Sequence, residues 1–421
     1  MFLGYFKKTI EDKELIKKCL TIAIPLMFQQ LIVASVNLVD NLMVGELGDV
    51  AVSAVSSANR YYAIAQYGVN ALTVACVIFL SQYNGARDDE HMKQSFRFSI
   101  VSSCTILILF VLFGFIFSKQ IIGFIINDSS IINAGSDYLK LAVFSYLPLG
   151  LSFPIANAMR STGDTRKPLV TSMVSIVVNI FFDYCLIFGH FGFKEMGVKG
   201  AAIATIIARV VEMIVYLVFL EMGNYHFKTK VYEIFHIERS LISNIIIKAI
   251  PLMINEIMWQ FGMAVLIKCY SSRGANVNAA YSISSTISDL FFVLFGGMAN
   301  ATTVIVGTKL GANKLEEAKD CAYKLIWFSM MMSIVMALFM NGFTFLVPIL
   351  YSKVSSYSIE LAKQFLSVMS LFYILYMFNT QCFFTLRTGV ILKTPCLWTQ
   401  ALCGVLIFQL FISLPIIQVF L

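Results

Sequence analysis

The sequence carries little charge. Only 13% of its 421 residues are Asp, Glu, Lys or Arg, whereas 58% are hydrophobic; soluble domains usually carry about a quarter charged residues. Because a water-facing surface cannot be built from so few charges, most of the surface must face lipid. The composition therefore excludes a cytosolic enzyme, a secreted scaffold and a nucleic-acid-binding protein.

Metal-binding and disulfide motifs are also missing. The four histidines stand at loops or at the edges of apolar runs, the nine cysteines are scattered, and no CxxC or HExxH spacing occurs. This pattern predicts that the cysteines are reduced and act as small hydrophobic residues. A buried transition-metal centre is not expected. We expect no cofactor, and the candidate chemistry lies in polar groups within the apolar runs.

Long apolar runs dominate the chain. At about 20 residues per membrane-spanning helix, the fold class predicted is an all-α polytopic membrane protein. The only long polar stretch, 223–243, is predicted to be a cytoplasmic linker between an N-lobe (1–222, spans 1–6) and a C-lobe (244–421, spans 7–11). The predicted spans are 20–44, 50–80, 95–118, 133–157, 168–190, 198–221, 244–270, 277–307, 320–347, 358–385 and 395–421.

The two lobes repeat at an offset of 226 residues. The segment AIPLM occurs at 23–27 and again at 249–253, and Gly85-Ala86 recurs as Gly311-Ala312. This duplication predicts two six-helix lobes related as parallel repeats about an axis along the membrane normal. The sixth span should recur after Leu421, so we expect that a twelfth helix is missing from this chain.

Lys and Arg are distributed unequally between alternate loops. The N-terminus, the linker and the loops predicted on the same side hold 21 of them, and the opposite loops hold 6. Because positive loops stay in the cytoplasm, the N-terminus is predicted to be cytoplasmic and the protein to lie in the cell membrane, in contact with the bilayer.

Four polar residues lie at a similar depth within the first lobe. Counting from the outer span ends at about 1.5 Å per residue, Asp40, Asn179, Asp183 and Thr205 fall within about 5 Å of one another in depth. Two carboxylates, an amide and a hydroxyl at one level can bind a hard cation or a proton, and no metal other than sodium is expected there. The alternative is that Asp40 and Asp183 cap or bridge helices.

The repeat makes a purely structural role for these residues less favoured. A network that only packs helices has no evident reason to occur in one lobe alone, yet the second lobe lacks it. The counterparts of Asp40, Asn179 and Asp183 at the repeat offset are Leu266, Val405 and Gln409.

Other charged residues stand within spans. Glu256, in the middle of span 7, is either a second protonatable group facing a central cavity or a carboxylate satisfied by neighbouring amides. Arg209 and Glu212, three residues apart, can neutralise one another, which favours a structural pair. Arg60 and Asp289 have no evident partner in the sequence and receive no role.

Several segments resemble one transporter family. VDNLMVGELG (39–48), MRSTGDTRKP (159–168), VNIFFDYCLIFG (178–189) and GVKGAAIAT (197–205) are similar to segments of the multidrug and toxic compound extrusion (MATE) transporters, in particular of the DinF-like branch. The resemblance covers essentially the whole chain.

The resemblance implies an antiporter that exports organic, often cationic and amphiphilic compounds, driven by sodium or proton entry, and not an enzyme. It places the family's cation site on Asp40, Asn179, Asp183 and Thr205. Glu256 resembles a carboxylate used by another branch, whose companion acid in span 10 has no counterpart here except Glu360 near the span edge.

Two other functions compete with export. A lipid-linked oligosaccharide flippase would need several basic residues in its cleft, whereas most Lys and Arg here lie in predicted loops. An intramembrane enzyme would need a nucleophile with a base, or a metal set, and no GxSxG or HExxH motif occurs. The partners expected are a small organic substrate and the bilayer, with no nucleic acid and no obligate protein partner; the coupling ion, the substrate and the oligomeric state stay open.

Overall fold

The structure is a computed structural model that describes residues 4–125, 128–271, 275–351 and 355–389. The predicted span at 395–421 lies outside the described residues. Within the described ranges the chain forms helices joined by turns and loops and contains no strand. The helices are α1 (Gly4–Glu11), α2 (Lys13–Gly45), α3 (Asp49–Ala86), α4 (Asp89–Ile116), α5 (Ser118–Ile125), α6 (Ser129–Ala142), α7 (Tyr146–Ser161), α8 (Arg166–Phe188), α9 (Val198–Met222), α10 (Arg239–Ser271), α11 (Ala275–Gly311), α12 (Leu315–Phe343), α13 (Val347–Leu350) and α14 (Ser356–Thr388).

The helices are built for a bilayer. Over the described residues, nine helical stretches are long and apolar enough to cross a membrane. Their outward faces are apolar as well as their inward ones: on α4, Leu109, Phe113 and Ile116 are each more than half exposed. Such a surface is stable against hydrocarbon but not against water, because the outward apolar side chains would stay exposed to the solvent. The predicted class of an all-α polytopic membrane protein is therefore confirmed.

The chain divides into two compact units. The first unit is Pro25–Ala249, and the second is Met1–Ile24 together with Ile250–Leu421. The chain passes from one unit to the other within α2 and within α10, beside Pro25 and Pro251, which lie inside those helices. Both crossings fall in the two copies of AIPLM. This partition differs from the predicted lobes 1–222 and 244–421 with a linker between them, and the lobe boundaries and the repeat stay predictions.

The first unit has a continuous apolar core. Helices α3, α4, α6, α7 and α9 contribute to it, and their buried side chains include Leu107, Tyr138, Leu139, Tyr146 and Ala202. Within the core, Tyr61 on α3 donates a hydrogen bond to the Phe110 carbonyl oxygen of α4 at 2.7 Å, which satisfies its hydroxyl in apolar surroundings.

Helix α9 approaches the end of α8 very closely. A Cβ added to Gly200 would lie 2.5 Å from the Leu186 carbonyl oxygen and 3.0 Å from the Ile187 amide nitrogen. Only glycine permits this approach of two backbones. Helix α8 then ends at Gly189, whose φ of 74° reverses the chain toward α9. These contacts fix the position of α9 beside the polar face of α8.

The polar segment between α9 and α10 folds back onto the first unit. Phe227 is fully buried and packs edge-on against Phe96 of α4, with ring centroids 4.9 Å apart. Arg97, also buried, donates hydrogen bonds to Thr229 Oγ1 at 2.7 Å, Glu233 Oε2 at 2.6 Å and the His236 carbonyl oxygen at 3.0 Å.

These contacts also set the charge state of the linker. Burial alone would raise the pKa of Glu233, but the charge of Arg97 and the hydrogen bond from Thr229 outweigh it and hold this pKa below its usual range. Glu233 therefore keeps its charge, and its pairing with Arg97, below the pH at which glutamates ordinarily become neutral.

The second unit packs α11, α12 and α14 against one another. Tyr373 of α14 donates a hydrogen bond to the Phe291 carbonyl oxygen of α11 at 2.6 Å, and its ring packs on Phe295 at 4.7 Å. Near the N-terminus, Phe6 of α1 contacts Trp327 of α12 edge-on at 5.7 Å, and Lys324 of α12 pairs with Asp12. Helix α1 thus belongs structurally with α12.

Candidate functional site

A polar cavity opens inside the first unit. Its volume is about 440 Å³, and α2, α3, α6, α8 and α9 contribute Asp40, Tyr62, Tyr138, Asp183 and Arg209, respectively, to its wall. Pockets that hold small organic ligands usually measure about 300–1,000 Å³. The cavity is therefore large enough for an ion and for part of an organic molecule.

An acidic pair forms one end of this cavity. Asp183 is 2% exposed and its Oδ2 accepts a hydrogen bond from Asn179 Nδ2 at 2.9 Å. The carboxyl groups of Asp40 and Asp183 line the same cavity and are close enough to interact with one another. Oδ1 of each residue is buried without a hydrogen-bond partner. A buried carboxylate oxygen with no partner is costly, and a positive charge beside it would offset that cost.

Thr205 adds a neutral oxygen to the same wall. Its hydroxyl donates to the Ala201 carbonyl oxygen one turn earlier in α9, at 2.9 Å. Because the hydrogen is committed to the backbone, the lone pairs of Oγ1 are left to accept or to ligate. Asn179 likewise donates through its nitrogen to Asp183, which leaves its own carbonyl oxygen for a guest.

All four residues predicted from depth thus line one cavity. Their role as an ion site stays a prediction, because proximity alone does not show binding. Among the described residues, no three His, Cys, Asp or Glu side chains come together to hold a metal ion. Two carboxylates with neutral oxygens are groups that a hard monovalent cation or a proton can bind.

Arg209 and Glu212 form an ion pair in the same cavity wall. Arg209 Nη1 donates to Glu212 Oε2 at 2.7 Å, and the side chains are 33% and 11% exposed. The spacing of three residues in α9 predicted this pairing. The sequence did not indicate that both side chains also face the cavity that holds Asp40 and Asp183.

A second polar network lies nearer the other end of α2. Gln29 Nε2 donates to the Ser172 hydroxyl and to the Pro168 carbonyl oxygen, and Gln29 Oε1 accepts from Arg160 Nη2 at 3.0 Å. Arg160 also donates to Asn157 Oδ1 at 3.0 Å. Gln29 therefore ties α2 to both α7 and α8. Sequence reasoning missed this network because an amide in an apolar run indicates no partner by itself.

Other cavity residues were also missed. Tyr62 and Gln66 of α3 line the cavity, and their spacing of four residues places them on one helix face, which is a signal that could have found them. Tyr138 of α6 is buried beside the acidic pair. Nothing in its local sequence separates it from an ordinary core tyrosine.

Two of the charged residues singled out in the sequence, Arg60 and Asp289, do not join this site, and the side chain of a third, Glu256, is not described. The side chain of Glu256 lies outside the described residues, so both interpretations of it stay predictions. Arg60 of α3 and Asp289 of α11 are exposed, and neither lines the cavity.

Membrane-spanning helices around a cavity with partnerless carboxylate oxygens define a class of protein, the polytopic carriers that bind their guests between helices. The comparison with known families makes the assignment specific. The model of the MatE family matches residues 25–185 and 251–414, and the chain belongs to this family.

Curated relatives carry related names. A probable multidrug resistance protein YoeA from Bacillus subtilis is 24% identical over 72% of this chain and 66% of its own length. A probable multidrug resistance protein NorM from Thermotoga maritima is 25% identical over 75% of this chain and 68% of its own length. The matches thus span about two thirds of each relative.

Solved structures share the fold. A single-residue mutant of the Vibrio cholerae MATE transporter VcmN has a TM-score of 0.84 at 19% identity, and the match covers 92% of this chain and 87% of that chain. A MOP superfamily transporter from Pyrococcus furiosus, whose reversed pocket polarity suggests a different function, has a TM-score of 0.80 at 19% identity over 91% and 84%. Because one fold carries different functions, function must be argued from the cavity of this chain.

Proposed function

We propose that the protein is a cation-coupled antiporter that exports organic, often cationic and amphiphilic compounds by alternating access. The observation that carries this proposal is the acidic pair, Asp40 and Asp183, with a partnerless buried oxygen on each carboxyl group. The names of the curated relatives, which are multidrug resistance proteins, support the same function.

The acidic pair explains the need for a coupling ion. Two ionised carboxyl groups have no hydrogen to share, so their close approach is stable only with a proton or a cation between them. Sodium would be held by Asp40, Asp183, the Asn179 carbonyl oxygen and Thr205 Oγ1. A proton would bridge the two carboxyl groups and need no neutral ligand. Either ion enters as the guest that cancels the buried charge.

The cavity also suits the exported compound. Aromatic side chains of Tyr62, Tyr138 and Tyr146 line it together with the acidic groups, which is the combination that binds a flat organic cation. If ion and substrate bind the same cavity in different conformations, each shifts the conformational equilibrium by its own differential affinity. Exchange of one for the other then drives export.

Prolines inside α2 and α10 supply places to bend. Pro25 in α2 and Pro251 in α10 lack the backbone N–H of the helix ladder. Both stand where the chain crosses between the compact units. Rearrangement of the units can therefore occur at these points without unfolding either unit.

The alternatives are less well supported. Among the described residues that line the cavity, Arg209 is the single basic side chain, and it is already paired with Glu212. A flippase for a lipid-linked pyrophosphate needs several unpaired positive charges in its cleft. The charge of this cavity therefore favours a cationic guest. We further propose that the protein lies in the cell membrane with a cytoplasmic N-terminus, on the distribution of Lys and Arg.

The test is transport in a defined system. Purified protein in proteoliposomes is supplied with ethidium, and a sodium gradient and a proton gradient are imposed separately. We expect ethidium transport to depend on one gradient and to fall to background in Asp40→Asn and Asp183→Asn. Asp137→Asn is the matched control, because Asp137 pairs with Lys199 outside the cavity and is half exposed. Transport retained in both cavity variants would refute the assignment.

A further inference from the structure

The Arg209–Glu212 pair differs from an ordinary structural ion pair. It lies in the cavity wall, and the Arg209 side chain is 33% exposed. Nη1 donates to Glu212, whereas the structure shows no hydrogen-bond partner among the described residues for the other guanidinium donors. A structural arginine inside a protein normally has its donors occupied. This guanidinium therefore has donors to offer a second acceptor.

The acidic pair lies on the other side of Arg209 along the helix. Thr205 precedes Arg209 by one turn, a rise of about 6 Å, and lines the same cavity as Asp183. Side chains of an α-helix lean toward its N-terminus, which for Arg209 is the direction of Thr205 and the acidic pair. Glu212 lies in the opposite direction. Arg209 thus lies in α9 between Glu212 and the level of the acidic pair, and all four carry charge in one cavity wall.

The charges in the cavity wall show that Arg209 cannot neutralise both Glu212 and the acidic pair. When ionised, three carboxylates, Asp40, Asp183 and Glu212, face one guanidinium, so the cavity carries an excess of two negative charges. The tyrosine hydroxyls in the wall are neutral and do not change this count. A coupling cation on the acidic pair, with Arg209 on Glu212, leaves one excess charge. An organic cation on Glu212, with Arg209 on the acidic pair, leaves the same charge.

Building on the proposed function, we propose that Glu212 is the binding group for the positive charge of an exported organic monocation. That cation releases Arg209 from Glu212, and Arg209 then turns to Asp40 and Asp183 and expels the coupling ion. Arg209 is a positioning residue that makes the two guests mutually exclusive, although they occupy different carboxylates. Direct competition differs, because there the organic cation would itself sit on the acidic pair.

Binding of ethidium to the purified full-length protein in detergent tests this relay. Fluorescence titrations are made at several sodium concentrations and at several pH values. For the wild-type protein we expect the apparent Kd of ethidium to rise about tenfold as the concentration of the coupling ion is raised across the measured range. In Glu212→Gln we expect ethidium affinity to fall about 10- to 100-fold even without the competing ion, as for loss of one partner of a charge pair.

Arg209→Gln gives the decisive measurement. Without the guanidinium the two guests occupy separate carboxylates, so ethidium still binds but its Kd changes less than about twofold over the same ion range. Glu212→Asp keeps the charge and should recover most of the affinity. Glu221→Gln, at the exposed end of the same helix where Glu221 pairs with Lys228, should behave as wild type.

Three outcomes overturn the proposal. If Glu212→Gln bound ethidium as tightly as the wild-type protein, the organic cation would bind at a group other than Glu212. Full ion competition in Arg209→Gln would mean that the guests compete directly. If the wild-type protein neither binds nor transports ethidium, the proposed function fails and the relay fails with it. If the wild-type protein transports ethidium normally, unchanged affinity in Glu212→Gln or full ion competition in Arg209→Gln refutes the relay alone.

Discussion

The close approach of α8 and α9 gives a sharp prediction about Gly200. In Gly200→Ala the new Cβ would meet the Leu186 carbonyl oxygen at 2.5 Å and its carbon at 2.6 Å. Ordinary contacts of carbon with oxygen lie at about 3.3–3.6 Å, so the helices must separate by about 1 Å. The obstacle is backbone, which cannot rotate away as a flexible side chain would.

The expected cost follows from two opposing terms. Overpacking typically costs about 1–3 kcal/mol, and a rigid backbone obstacle places this case in the upper part of that range. Replacing glycine by alanine within a helix returns at most about 1 kcal/mol. The net destabilisation is therefore about 1–2 kcal/mol. Gly68 of α3 provides the matched control, because its added Cβ would meet only Ile106 Cγ2 at 4.0 Å; Gly68→Ala should be neutral or stabilising.

Two assays read out the Gly200 prediction. Thermal unfolding in detergent, at one heating rate because such unfolding is often irreversible, should give Gly200→Ala a lower midpoint than wild type and Gly68→Ala an equal or higher one. Helix separation also moves Thr205 away from Asp183, so the coupling-ion concentration for half-maximal efflux should rise about tenfold. Equal midpoints and equal ion dependence for the two alanine variants would refute the reasoning from close backbone contact.

Two further predictions concern buried polar networks. Arg97→Ala removes three hydrogen bonds that hold the linker, so hydrogen exchange of linker amides should accelerate at least about tenfold. Lys93→Ala, one turn earlier in α4, should leave this exchange rate unchanged. Equal exchange rates in the two variants would contradict the role of Arg97. Gln29→Leu leaves Arg160 without one acceptor and should lower stability by about 1–3 kcal/mol, measured as a lower unfolding midpoint than that of the exposed neighbour variant Gln30→Leu.

The sequence predicted the helices well because apolar length alone specifies a span in lipid. The predicted span at 198–221 corresponds to α9 within one residue at each end, and the predicted span at 95–118 corresponds to α4, which begins earlier, at Asp89. Helix α2 begins at Lys13, well before the predicted start at 20, because helical hydrogen bonding continues into the charged segment that hydropathy excludes. The predicted single span at 133–157 is divided between α6 and α7 by a 3-10 turn.

The interruption of that span has a local cause. The 3-10 turn Val143–Ser145 is followed within α7 by Pro148, which has no N–H to donate to Phe144. The sequence showed the proline but not the geometry that results. Prolines in spans are common, and whether one bends a helix depends on the neighbours that satisfy the released carbonyl group.

The candidate site could be predicted only in part. Depth counting placed Asp40 and Asp183 together because helices in a bilayer run roughly parallel, so residue number translates into height. Rotation about the helix axis does not follow from counting, and it decides that Arg209 and Glu212 face the same cavity. The partners of Arg97 in the linker depend on a fold-back of the chain that no local pattern encodes.

The two candidate coupling ions make different demands on Thr205, and this difference yields a final prediction. A hard cation such as sodium needs several oxygen ligands, and Thr205 Oγ1 offers its lone pairs because its hydrogen is donated to Ala201. A proton shared by the two carboxyl groups needs no such ligand. Thr205→Val keeps the shape of the side chain and removes the oxygen.

We therefore expect sodium-driven efflux by Thr205→Val to require about tenfold more sodium for half-maximal rate, as for the loss of about 1.4 kcal/mol of ion binding. Proton-driven efflux should stay within about twofold of wild type. Thr205→Ser restores an oxygen without the methyl group and should recover the sodium dependence. An equal loss under both gradients in Thr205→Val would assign Thr205 to helix packing, because only a ligand distinguishes an ion that needs oxygen neighbours from one that does not.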